Sequence, residues 1–117
     1  MGISYQGIGE WCATLRCGAG VCEDAVVGIG ASGTAVECGA GDDFCGVVRA
    51  IAHDGRACSV QLGGRATVCY SGEQTPRSGC GRLVADGVGG VCVSAEKGRE
   101  YLILNVDSME KTVDIKL

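Results

Sequence analysis

Proline is nearly missing from this 117-residue chain, whose only one is Pro76. That excludes proline-rich linkers and polyproline recognition segments. Histidine is also single (His53), so a histidine-built metal cluster is excluded within one chain. Aromatics are scarce, at one Trp, one Phe and three Tyr, so the core must be made from smaller side chains. No block of Lys or Arg occurs. The 10 basic residues are outnumbered by 14 acidic ones, for a net charge of −4 and a pI near 4.8. Nucleic acid and anionic membrane are therefore not expected as partners. Apolar runs last only a few residues, far short of a bilayer span. The start, Met1-Gly2-Ile3-Ser4-Tyr5-Gln6, carries neither a basic nor an apolar signal region, and Gln6 stands where myristoylation needs Ser or Thr. The expectation is a single soluble domain made in a cytoplasm.

What the chain has instead is 21 glycines and nine cysteines. The stretch Ala25-Val26-Val27-Gly28-Ile29-Gly30-Ala31-Ser32-Gly33 spells G-x-G-x-x-G after an apolar run, the form of a dinucleotide-binding turn. Such a turn needs a following helix whose N-terminal N–H groups hold a pyrophosphate. Asp54 even supplies an acid at about the right separation. The segment that would be helical carries Gly39 and Gly41 in its middle. Each glycine costs a helix interior about 1 kcal/mol, and no apolar stripe offsets that. Turns between strands explain the glycines better, and no cofactor is expected.

The cysteines invite a metal or redox reading. Cys12, Cys17 and Cys22 are spaced C-x4-C-x4-C, and Cys38, Cys45, Cys58, Cys69, Cys80 and Cys92 are scattered. No C-x2-C pair exists, although structural zinc sites and redox motifs normally contain one. A five-residue step also fails to bring two thiols together on either a strand or a helix. The odd count opposes a full disulfide framework. Buried or half-buried thiols acting as small hydrophobes, mostly reduced and without metal, are the expectation.

Periodicity is two almost throughout. In residues 57–62, Cys58, Val60 and Leu62 share one face, with Ala57, Ser59 and Gln61 on the other. In residues 65–70, Ala66, Val68 and Tyr70 share a face. The intervening Gly63-Gly64 predicts a hairpin, and a three-residue loop opposes Val60 to Val68. Residues 101–107 and 112–117 predict a second hairpin, opposing Val106 to Val113, Leu104 to Ile115 and Leu102 to Leu117. That packs the last residue. Further strands are expected at 11–16, 22–27, 34–38, 45–53, 83–86 and 91–93, and no segment reads as a helix. The fold class is all-β: a small antiparallel barrel or sandwich at 11–117, with residues 1–10 as an extended N-terminal arm.

Catalytic chemistry is thin. His53 precedes Asp54-Gly55, a common turn pair, and Asp54 reads as a turn cap. No G-x-S-x-G nucleophile elbow is present. The pairs Glu23-Asp24 and Asp42-Asp43 lack the spacing of a calcium loop and read as solvated turn acids. No enzymatic activity is expected.

From Phe44 onward, the run FCGVVRAIAHDGRACSVQLGGRATVCYSG resembles the paired-strand core of bacteriophage capsid decoration (head-stabilising, or cement) proteins. LVADGVGGV (83–91) and GREYLILNVDSMEKTVDIKL (98–117) are similar to the closing segments of short members from phages and prophages of Gram-positive bacteria. The cysteine count departs from ordinary members. The resemblance implies a compact β-domain, a homotrimer, seated on the outer capsid surface where it holds major capsid protein subunits together. It transfers no catalytic residue. It implies a virion location, with synthesis in the bacterial cytoplasm. Within this reading, Ile3, Tyr5 and Ile8 of the arm, together with Trp11, are candidates for capsid or subunit contact, since Trp is the side chain most enriched at interface hot spots. The competing place for Trp11 is the domain's own core.

Two other classes compete. One is a ligand-binding or carrier β-barrel of bacterial origin, although neither Lys97 nor Lys111 has the flanks of a lipoyl-carrying lysine. The other is a thiol- or metal-dependent protein.

Overall fold

The computed structural model describes residues 10–117; the arm residues Ile3, Tyr5 and Ile8 lie outside that range. Ten strands follow one another. β1 (Trp11–Cys17), β2 (Val26–Ile29), β3 (Thr34–Glu37), β4 (Gly46–Ile51) and β5 (Ala57–Gly63) close a barrel in the order β1-β3-β2-β4-β5. Every pairing in it is antiparallel except β1 with β3. β6 (Arg65–Cys69), β7 (Gly79–Ala85), β8 (Val91–Val93), β9 (Arg99–Asp107) and β10 (Thr112–Lys116) form a second, five-stranded sheet in the order β6-β10-β9-β7-β8. The fold is all-β, as the alternation predicts. β2 begins later than expected because residues 22–25 turn, with Asp24 at φ 64°. β7 begins earlier, at Gly79.

Two cores result. Val27, Ala35, Val48, Cys58 and Val60 fill the barrel. Val26, Phe44 and Val47, on the outside of the barrel, pack against Ala66, Val68, Tyr70, Leu83, Tyr101, Ile103, Val113 and Ile115 of the second sheet. The short apolar runs are thus explained: a barrel strand covered by a second sheet is buried on both faces. The Phe44 and Tyr101 rings stack with centroids 4.9 Å apart. The Tyr101 hydroxyl donates to the Phe44 carbonyl at 3.0 Å. This contact pins β9 to the chain entering β4.

The Gly63-Gly64 hairpin does not form. β5 has both edges taken, by β1 and β4. β6 pairs instead with β10, placing Ala66 opposite Ile115 and Val68 opposite Val113. The chain turns a corner at Gly64 (φ 84°) and passes from the barrel to the second sheet. Two groups hold the corner. Gln61 Nε2 donates to the Gly63 carbonyl at 2.9 Å and to the Arg65 carbonyl at 2.7 Å, and the Leu117 N–H donates to the Gly64 carbonyl at 2.9 Å. The alternation is read correctly and the partner wrongly, because an apolar face looks the same whether it meets a hairpin mate or another sheet.

The C-terminal hairpin forms, with Val106 opposite Val113. Asp107 Oδ1 accepts from the N–H groups of Met109 and Glu110, both at 3.1 Å, and shapes its turn. The pairing of Leu104 with Ile115 is overturned. A register shift between Asp114 and Ile115 sets Ile115 opposite Ile103 and Lys116 opposite Leu102. Inward positions along β9 run Tyr101, Ile103, then Val106, a step of three that marks the extra residue of a bulge. Leu102 and Leu104 consequently face solvent. Leu117 still packs on the core, though it is Lys116 that stands opposite Leu102.

Candidate functional site: an exposed tryptophan

Trp11 opens β1 opposite Gly63, with a register shift immediately after it. A glycine partner offers no side chain to pack against. The indole is 64% exposed, so the structure places Trp11 on the surface rather than in the core. Ile3, Tyr5 and Ile8 were the other contact candidates and lie outside the described residues. Elsewhere on the surface Ile29, Val36, Val88 and Met109 are exposed large apolar side chains. Ile29 and Val36 sit on paired strands and border a groove with Asp42, Asp43, Phe44 and Arg99. The Arg99 guanidinium lies 5.3 Å from the Tyr101 ring centroid. Sequence reading missed these residues, because Val36 and Ile29 belong to strands whose covered face only the assembled sheet order defines.

A cleft of about 470 Å³ lies at the seam between barrel and sheet, lined by the 20–27 turn, Cys69–Ser71 and the Asp86–Gly90 loop. Its central acid is occupied structurally. Asp86 Oδ2 accepts from Ser71 Oγ at 2.7 Å, and Oδ1 accepts from the N–H groups of Val88 at 2.8 Å and Gly90 at 3.0 Å. A Cβ on Gly90 would lie 2.5 Å from the Cys69 carbonyl oxygen. Asp86 therefore folds the β7–β8 turn against β6.

The glycine-rich stretch ends β2 and runs through the short 3-10 turn Ala31–Gly33 directly into β3. No helix N-terminus follows it, so it offers no pyrophosphate cradle. His53 is exposed in the β4–β5 turn. There Asp54 Oδ1 accepts from the Arg56 N–H at 3.0 Å, the turn cap expected of it. Asp42 likewise accepts from the Gly39 N–H at 2.9 Å.

The nine sulfurs are free thiols of three kinds. Cys58 is buried; Cys17, Cys38, Cys45 and Cys92 are half-buried; Cys12, Cys22, Cys69 and Cys80 are exposed. The last four depart from the expected burial, since each sits on the solvent face of its strand or in a turn. Burial and the nearby Asp42, Cys45 and Asp43 push the Cys38 thiol from 9.0 up to about 11. Burial also raises Cys45, Cys58 and Cys92. The thiolate is the nucleophile, so a raised thiol reacts slowly. Maleimide labelling of the native protein near pH 8 should modify Cys12, Cys22, Cys69 and Cys80 first. Cys38 should lag by at least about tenfold. Peptide mapping showing Cys38 labelled as fast as Cys12 would contradict this placement. Among the described residues, no three His, Cys, Asp or Glu side chains come together as a metal-binding group.

The chain matches no protein-family model, and no curated protein and no solved structure matches it either.

Proposed function

We propose that this chain is a capsid decoration protein that binds the outer surface of a phage or prophage head and reinforces it, without enzymatic activity. The observation that carries the reading is the exposed Trp11 on a β-body held by two cores. A large aromatic held in water by a rigid strand is suited to a partner's pocket. The resemblance of residues 44–117 supplies the class of partner, the major capsid protein. The acidic balance, −4, fits a protein that meets the outside of a shell rather than the DNA within it. Repetition over symmetric sites lets a modest contact reinforce the whole shell.

Trp11→Ala should lower occupancy on shells by about tenfold or more while shifting the melting temperature little, because the indole is mostly in water already. Removing residues 2–10 separates the arm from Trp11. Occupancy lost in the deletion but kept in Trp11→Ala would move the contact to the arm. Occupancy kept in both would refute a contact through Trp11 or the arm.

A further inference from the structure

The cleft at the seam carries charge of one sign only. Four of the chain's 14 acidic residues line it (Glu23, Asp24, Glu37 and Asp86), and none of its 10 basic residues does. The first three are exposed and Asp86 is half-buried. The one ion pair among the described residues, Arg65 with Asp114, lies elsewhere. A concave wall of one sign focuses the field and concentrates counter-ions. The inner wall supplies a second observation. Tyr70 continues the inward-facing series Ala66 and Val68, so its side chain points from the second sheet towards the barrel, across the seam that the cleft opens. The residue is only 4% exposed, and its hydroxyl has no protein hydrogen-bond partner. Lys111 Nζ approaches the ring, 5.6 Å from its centroid, rather than the hydroxyl, and Lys111 is not part of the cleft wall. Buried polar groups are normally paired, so an orphan on a cavity wall calls for a partner from outside. Val21, Val26 and Val88 make the lining apolar between these groups.

We propose that the cleft binds an organic cation, a primary ammonium on an aliphatic stem about the length of a lysine side chain. The ammonium lies among the carboxylates and donates to the Tyr70 hydroxyl oxygen, while the stem covers the three valines. A volume of about 470 Å³ is enough for such a group. An anion is repelled by the wall. A bare metal ion is not served, because no three ligating side chains converge among the described residues. An uncharged apolar ligand would leave the Tyr70 hydroxyl unpaired. The same chemistry arrives either as a free alkylamine or as a lysine side chain of another protein. Trp11 does not line the cleft, so the site is independent of the shell reading.

The test is an amide NMR titration of the full chain with n-hexylammonium, with hexan-1-ol and hexanoate as its uncharged and anionic matches. Hexylammonium should shift the amides of residues 20–24, 37 and 86–90 saturably, and bind about tenfold more tightly than hexan-1-ol. Glu23→Gln combined with Glu37→Gln, both at exposed positions, should weaken it by about tenfold. Tyr70→Phe keeps the ring and removes the orphan hydroxyl. It should weaken hexylammonium by about fivefold without lowering the melting temperature, which separates a lost contact from a damaged fold. N-acetyl-lysine methylamide distinguishes the sources. If it binds as tightly as hexylammonium, the cleft takes a protein's lysine; if only the free amine binds, it takes a small molecule. The absence of saturable shifts with hexylammonium would overturn the proposal. So would equal binding of hexan-1-ol, or an affinity indifferent to Tyr70→Phe.

Discussion

Gly98→Ala should cost about 3 kcal/mol, lowering the melting temperature by roughly 10–20 °C. Gly98 precedes β9 at φ +85°, where any Cβ is strained, and a Cβ there would also collide with the Leu83 carbonyl oxygen and lie 2.6 Å from Val84 Cγ1. Leu83 is a backbone partner that cannot swing away, because it pairs with both Arg99 and Val93. Either β9 leaves β7 or the turn opens. Gly55→Ala is the control. Gly55 has a similar φ of +74° but nothing within 4 Å of a Cβ. It should lose only about 1 kcal/mol. Equal losses at the two positions, measured by thermal and denaturant melts, would mean that the β7–β9 approach is looser than described.

Gln61→Leu should destabilise by about 2 kcal/mol although leucine is close in size and apolar. Gln61 is 0% exposed, the one buried polar side chain among the described residues. Its Nε2 satisfies the carbonyls of Gly63 and Arg65 on the two sides of the corner. Removing it leaves two partly buried acceptors unpaired, at about 1–3 kcal/mol each. Relief of the Gln61 Oε1, which has no protein partner, and added apolar burial offset part of that. Gln61→Glu should be worse, since a carboxylate brings no donor to either carbonyl and a buried charge besides. A Leu variant as stable as the parent would show that Gly64 and the Leu117–Gly64 bond hold the corner unaided.

Gln61 and the corner it holds mark where the sequence could be read and where it could not. The alternation at 57–62 and 65–70 gave the right strands and the right inward residues, because a period of two is local. The partner of each strand is not local. Gly63-Gly64 is equally good chemistry for a hairpin and for a corner, and only the full occupation of β5 by β1 and β4 decides between them. Gln61 read as a solvent-face residue for the same reason: the second sheet covers the outside of the barrel at its position. In β9, a single extra residue turned Leu104 from an expected core pair into a surface side chain. Trp11 was legible as a contact candidate from its residue type. Its exposure depends on Gly63 being its cross-strand neighbour, which the hairpin reading excluded. Asp54 was easier, since Asp before Gly shapes turns locally; Asp86, read only as a strand end, was not.

The reading of this chain as a protein of the outer capsid surface meets its most direct test in cryo-electron microscopy. Phage or prophage heads assembled without the protein would be reconstructed before and after incubation with the purified chain. The account expects new density on the outside of the shell at symmetry-related sites, with β1 and Trp11 turned towards a neighbour. Shells that show no added density at saturating protein would contradict it.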